Sequence, residues 1–171
     1  MVMRMGRAYP QKPKIVVPKY APDRLEGLLE LIFPDHRLRQ KIAKAFLEEL
    51  RKRGTEGFAE EEWIPFLIKL IGREYPKEAK ALMELYEALE GKVSRTKLQE
   101  EITKKALELG LTEEGSNLFN IYKSQYSIVL RTLRKLGMIY KKEGFYYTSP
   151  HFGNILESIG RLWKDWRAGL F

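Results

Sequence analysis

The most regularly spaced chemistry in this sequence is a row of short hydrogen-bonding groups that ends in cations: Asn117, Asn120, Ser124, Ser127, Arg131 and Lys135. These residues recur every three or four positions, so at about 3.6 residues per turn they share one side of a helix. Hydroxyl, amide and guanidinium groups in such a row can exchange hydrogen bonds with polar edges of another molecule, and the cations can pair with anions. Ile128 adds one apolar group to the row, and Lys123 and Gln125 flank it. This is chemistry of recognition, not of bond breaking.

Bond-breaking chemistry has little to stand on elsewhere. The two histidines, His36 and His151, fall in different predicted helices without a ligand-spaced partner, and Cys is absent. Neither metal-ligand spacing nor a thiolate site can be built from them. The phosphate-binding and nucleophile patterns G-x-x-x-x-G-K-[ST], G-x-G-x-x-G and G-x-S-x-G do not occur. Glu60, Glu61 and Glu62 are adjacent and point in different directions around a helix, where they favour its positive end. Asp23, Asp35 and Asp165 read as caps or surface charges. The expectation is a chain with no enzymatic activity, no metal and no cofactor.

The elements that must position the polar row follow from periodicity. On the other side of the same helix, residues 117–136, lie Phe119, Tyr122, Tyr126, Val129, Leu130, Leu133 and Leu136, a face for a core. Gly137 closes the helix, with Met138 and Ile139 folding back on it. Residues 139–142 and 145–148 are β-prone and meet at Glu143 and Gly144, which permits a tight hairpin with Lys141 and Lys142 near its tip. Upstream, Asp23 caps a short helix through Ile32. A second helix from His36 to Arg53 crowds Arg37, Arg39, Lys41 and Lys44 into its first half, an arrangement a polyanion would offset. A third begins near Glu60, a fourth spans 76–89, residues 92–94 are extended, and Ser94 caps a fifth over 95–109.

A helix carrying Ser127, Leu130 and Leu133, then Gly137, Met138, Ile139 and a basic hairpin, resembles the recognition helix and wing of the winged helix-turn-helix superfamily. The resemblance covers residues 75–148. It implies a fold that is mainly α, with a helical N-terminal part followed by a winged helix-turn-helix, a small β-wing and a C-terminal helix. The 76–89 helix, the 92–94 segment and the 95–109 helix would be its first helix, first strand and second helix. The domain plan is then a basic, proline-containing arm at 1–22, a helical region at 23–74, the winged-helix-like domain at 75–148, and a terminal helix at 149–171.

The net charge of +8 favours an anionic partner. Together with the resemblance it implies double-stranded DNA as the partner and transcription regulation as the role. Ser124, Gln125, Ser127 and Arg131 then approach base edges, since Arg pairs with guanine and Gln with adenine. Lys123, Lys135, Lys141 and Lys142 meet phosphates. A protein-interaction module in a replication, transcription or ribosome-associated assembly is the other reading, and Ile128 on the outward face favours it. The arm at 1–22, with five cations (Arg4, Arg7, Lys12, Lys14, Lys19) and no acid before Asp23, either lies along a nucleic acid or straps onto the body through Ile15, Val16 and Val17.

The last helix, with Ser149 as cap and Pro150 first, gathers Ile155, Leu156, Ile159, Leu162, Trp163 and Trp166 on one face. That face covers either its own domain or a second copy in a homodimer through Ile155, Ile159, Leu162, Trp163 and Trp166. No run of about 18 apolar residues occurs and residues 1–20 hold no apolar leader core, so no membrane span is expected and the location read from sequence is cytoplasmic. Abundant Lys and Glu without Cys also fit a thermophilic source.

Overall fold

The computed structural model describes residues 18–171; most of the basic arm lies outside them. The chain is mainly helical with a small antiparallel sheet. In order the elements are α1 (Leu25–Ile32), α2 (Arg37–Arg53), β1 (Phe58–Ala59), α3 (Trp63–Ile71), α4 (Pro76–Leu89), α5 (Arg95–Glu108), β2 (Thr112–Glu113), β3 (Ser116–Asn117), α6 (Leu118–Lys135), β4 (Ile139–Lys142), β5 (Phe145–Thr148) and α7 (His151–Arg167).

Most boundaries have a local chemical cause. The Ser94 hydroxyl accepts from the Lys97 N–H at 3.1 Å to start α5, and the Asn117 amide oxygen accepts from Asn120 N at 3.2 Å to start α6. α6 stops at Gly137, whose φ of 75° lets Met138 N reach back to Leu133 O at 3.0 Å. Space imposes a second demand on Gly137, since a Cβ there would lie 2.6 Å from the His151 ring. Asp23 is not the cap of α1: Arg24 holds that position with no side-chain bond.

The sheet corrects the plan drawn from sequence. Residues 92–94 form a turn and bend, not a strand. The third strand is β1, from residues 58 and 59, and it pairs with β5 through Phe58 opposite Tyr146, giving the order β1-β5-β4. Gly57 makes this possible, because its φ is 74° and any Cβ would press into the Tyr147 ring at 2.6 Å. Between α5 and α6 the chain forms the β2-β3 hairpin.

One core joins these pieces, and its centre is the Phe46 ring of α2. It meets Phe58 of β1 at 5.2 Å, and Phe66 of α3, Tyr126 of α6 and Tyr146 of β5 each at 5.8 Å, all edge to face. Each such pair adds about 0.5–1.5 kcal/mol beyond the area it buries. Phe46→Ala should therefore cost about 3–5 kcal/mol of unfolding free energy, measured by urea denaturation; a loss below about 1 kcal/mol would show that the neighbouring rings close the gap.

Candidate functional site

The polar row predicted from spacing lies on the outside of α6. Asn120, Ser124, Ser127, Arg131, Arg134 and Lys135 are exposed, and Ile128 is half-buried. The helix is held from behind by α2 and α3 and from its start by the Asn117 side chain, which donates to Thr103 O of α5 at 2.9 Å. Its sequence contains no acidic residue.

The predicted contact residues do not all share the same freedom. Ser127 donates to Lys123 O within the helix at 3.2 Å, leaving its oxygen outward. The Gln125 carbonyl oxygen is taken by Arg39 Nε of α2 at 2.7 Å, so this glutamine is half-buried and partly engaged. Lys123 lies over the Trp63 ring at 6.0 Å, and Trp63 stacks on Phe119 at 5.9 Å.

The hairpin separates its two lysines. Strand alternation places Ile139, Lys141 and Tyr146 toward the body and Tyr140, Lys142, Phe145 and Tyr147 on the outer face. Lys141 pairs with Glu60 at 2.8 Å, and that hydrogen bond raises its affinity for the proton. Lys142 is exposed and, among the described residues, has no acidic partner within ion-pair distance. Tyr140 and Tyr147 stack across the strands at 5.2 Å.

Two of the four cations crowded into the first half of α2 are offset within the protein. Lys44 pairs with Glu26 at 2.7 Å, and Lys41 with Glu74 at 3.2 Å and with the Tyr122 hydroxyl at 3.1 Å. His36 is the N-cap of that helix, its Nδ1 accepting from Arg39 N at 3.3 Å.

Sequence reasoning missed Trp63, Arg134 and Tyr146 as neighbours of the row. Together with Glu60, Lys123, Tyr126, Ser127, Leu130, Arg131 and Lys135 they line a groove of about 760 Å³ between α6, the start of α3 and β5. The i+3 spacing from Arg131 was a signal for Arg134; the approach of Trp63 depends on a fold that periodicity does not reveal. No family model matches the chain, and no curated protein or solved structure matches it.

The start of α3, which sets Trp63 against α6, is held by Glu62. Its carboxylate accepts from Ala59 N at 2.8 Å and from Arg53 at the end of α2. Burial works to raise its pKa, and the bonds from Arg53 and Ala59 outweigh burial and hold it below the ordinary carboxylate value. Glu62 therefore contributes stability above its unfolded pKa of about 4.3 that disappears as pH falls through its lowered folded value. Glu62→Gln should flatten the acid limb of a Tm-against-pH curve below about pH 5; parallel curves for the two proteins would remove Glu62 from that limb.

Proposed function

We propose that the protein binds double-stranded DNA through the outer face of α6 and the β4-β5 hairpin, as a transcription regulator of winged-helix type. The observation that carries this reading is the α6 ridge, on which Ser124, Ser127, Arg131 and Lys135 are exposed without an acidic residue anywhere on the helix. At about 1.5 Å per residue the ridge from Ser124 to Lys135 is about 16 Å long, and a major groove about 12 Å wide admits a helix.

Topology supports the same reading. A helix (α2), a strand (β1) and a second helix (α3) precede α6, and the two strands after α6 pair with β1 in the order β1-β5-β4. Relative to the residues 75–148 read from sequence, the first helix, strand and second helix of that pattern move upstream to α2, β1 and α3. In this arrangement α4 and α5 are an insertion before the recognition helix. Arg131 and Ser127 meet base edges, Ser124 lies toward the helix start, and Lys135, Lys123 and Lys142 meet phosphates. Gln125 contributes through its amide N–H groups, since its oxygen is occupied by Arg39.

Self-association completes the proposal. The apolar residues of α7 fall at heptad positions, with Phe152, Ile159 and Trp166 in one register and Ile155 and Leu162 three residues on. None of its residues is buried; Ile159, Leu162, Trp163 and Trp166 are each more than half exposed. Among the described residues nothing buries this face beyond Phe152, and a second copy of α7 is the occupant we assign. The DNA and dimer terms are measured separately.

Arg131→Ala should cost on the order of 1–3 kcal/mol at a preferred duplex and less on random duplex. Lys142→Ala should weaken both alike and reduce the slope of log affinity against log salt by about 0.9. Lys141→Ala should change that slope little, since its ammonium is held by Glu60. Fluorescence anisotropy over a salt series measures all three; no loss from Arg131→Ala or Lys142→Ala would make this surface a protein-binding face.

The α7 assignment is checked by sedimentation. The wild type should dimerise at tens of micromolar, roughly the range of a weak interface, and Trp163→Ala combined with Trp166→Ala should give a folded monomer. A monomeric wild type at that concentration would overturn the dimer.

A further inference from the structure

The groove beside α6 has two unlike walls. The α6 side carries Lys123, Arg131, Arg134 and Lys135 with the buried Leu130 beneath them, and across from it lie Trp63, half-exposed under the Lys123 ammonium at 6.0 Å, and the edge of the buried Tyr146. The single acid at its edge, Glu60, is already paired with Lys141 at 2.8 Å. At about 760 Å³ the space is far larger than an inorganic anion needs and lies within the usual range of about 300–1,000 Å³ for small-molecule sites.

The groove also borders a polar group with nothing to bond. Tyr126 lines it and is only 6% exposed, yet its hydroxyl has no hydrogen-bond partner among the described residues. Buried hydroxyls in folded proteins are seldom left unpaired. Burial, with the nearby Tyr146, Glu60 and Glu62, pushes the phenol pKa up, so Tyr126 keeps its proton and is available as a donor.

We propose that this groove binds an anion built on a flat ring, of the nucleoside 5′-monophosphate class. The ring lies against Trp63 in place of the Lys123 ammonium that now sits over it at 6.0 Å, with an acceptor atom toward the Tyr126 hydroxyl, and the phosphate rests on Arg131 and Arg134. Base stacking on aromatic side chains and bidentate guanidinium–phosphate pairing are the two interactions such a molecule requires. The same chemistry belongs to a free mononucleotide and to an unstacked nucleotide at a strand end. The site shares Lys123, Ser127, Arg131 and Lys135 with the proposed DNA surface, but it does not rest on that reading, because the ring wall and Tyr126 lie off the ridge.

Calorimetric titration of the full chain with adenosine and cytidine 5′-monophosphates, the parent nucleosides, inorganic phosphate and a 5′-phosphorylated trinucleotide tests it. Saturable mononucleotide binding with Kd below about 1 mM is expected, at least about fivefold tighter than either phosphate or nucleoside alone. Tighter binding of the trinucleotide than of the mononucleotides would assign the natural source to a strand end; the reverse order would assign it to a free nucleotide. Arg131→Ala with Arg134→Ala should weaken mononucleotide binding at least about fivefold. Tyr126→Phe should weaken it while leaving the melting temperature unchanged or raised, since removing an unpaired hydroxyl takes nothing from the fold.

No saturable binding, equal affinity for phosphate and mononucleotide, or affinity unchanged in both variants overturns the site. Duplex binding measured by anisotropy on the same protein keeps the two proposals apart. Loss of the duplex signal with mononucleotide binding intact fails the DNA reading alone, and the converse fails the groove alone.

Discussion

The edge-to-face contacts of Phe46 tie α6 to the sheet and to α3. The ring is fully buried, and its four aromatic neighbours come from β1, α3, α6 and β5. Rings prefer this arrangement because the positive edge of one meets the negative face of another, which fixes orientation as well as proximity. One side chain of α2 thus sets the sheet, α6 and the helix bearing Trp63 relative to each other. A flexible aliphatic side chain at this position would fill space without imposing the same angles.

The second constraint is electrostatic and concerns which cations are already used. Arg39, Lys41 and Lys44 look like a polyanion site in the sequence, yet Gln125, Glu74 and Glu26 take them up from other elements. Lys141 is likewise consumed by Glu60. Such exposed or half-exposed pairs contribute little stability each. Their larger effect is to take Arg39, Lys41, Lys44 and Lys141 out of play, whereas the α6 cations and Lys142 have no acidic partner among the described residues.

The terminal helix follows a different logic. Ser149 N bonds Met138 O at 2.9 Å and Phe152 N bonds Gly137 O at 3.1 Å, so the start of α7 is anchored to the end of α6. Beyond Phe152 its apolar stripe faces outward, with Trp163 and Trp166 stacked on each other at 5.3 Å. A contiguous apolar stripe of this kind on a helix end is the signature of a surface meant to be covered.

Local interactions were legible in the sequence by itself. The helices from residue 25 to residue 167, the cap at Ser94, the stop at Gly137 and the hairpin turn at Glu143 and Gly144 follow from periodicity and backbone preference. These act over a few residues, as does the outward placement of Ser124, Ser127 and Arg131. Tertiary structure alone decided that the third strand comes from Phe58 and Ala59, some 90 residues before its partner. A two-residue strand has no periodicity to read, and what selects it is Phe58 packing on Phe46 and Gly57 yielding to Tyr147. The same holds for the pairing of Lys141 with Glu60, the capture of Gln125 by Arg39 and the approach of Trp63 to Lys123. Each joins residues far apart in the chain, whose encounter is set by how the core closes and not by the character of the residues themselves.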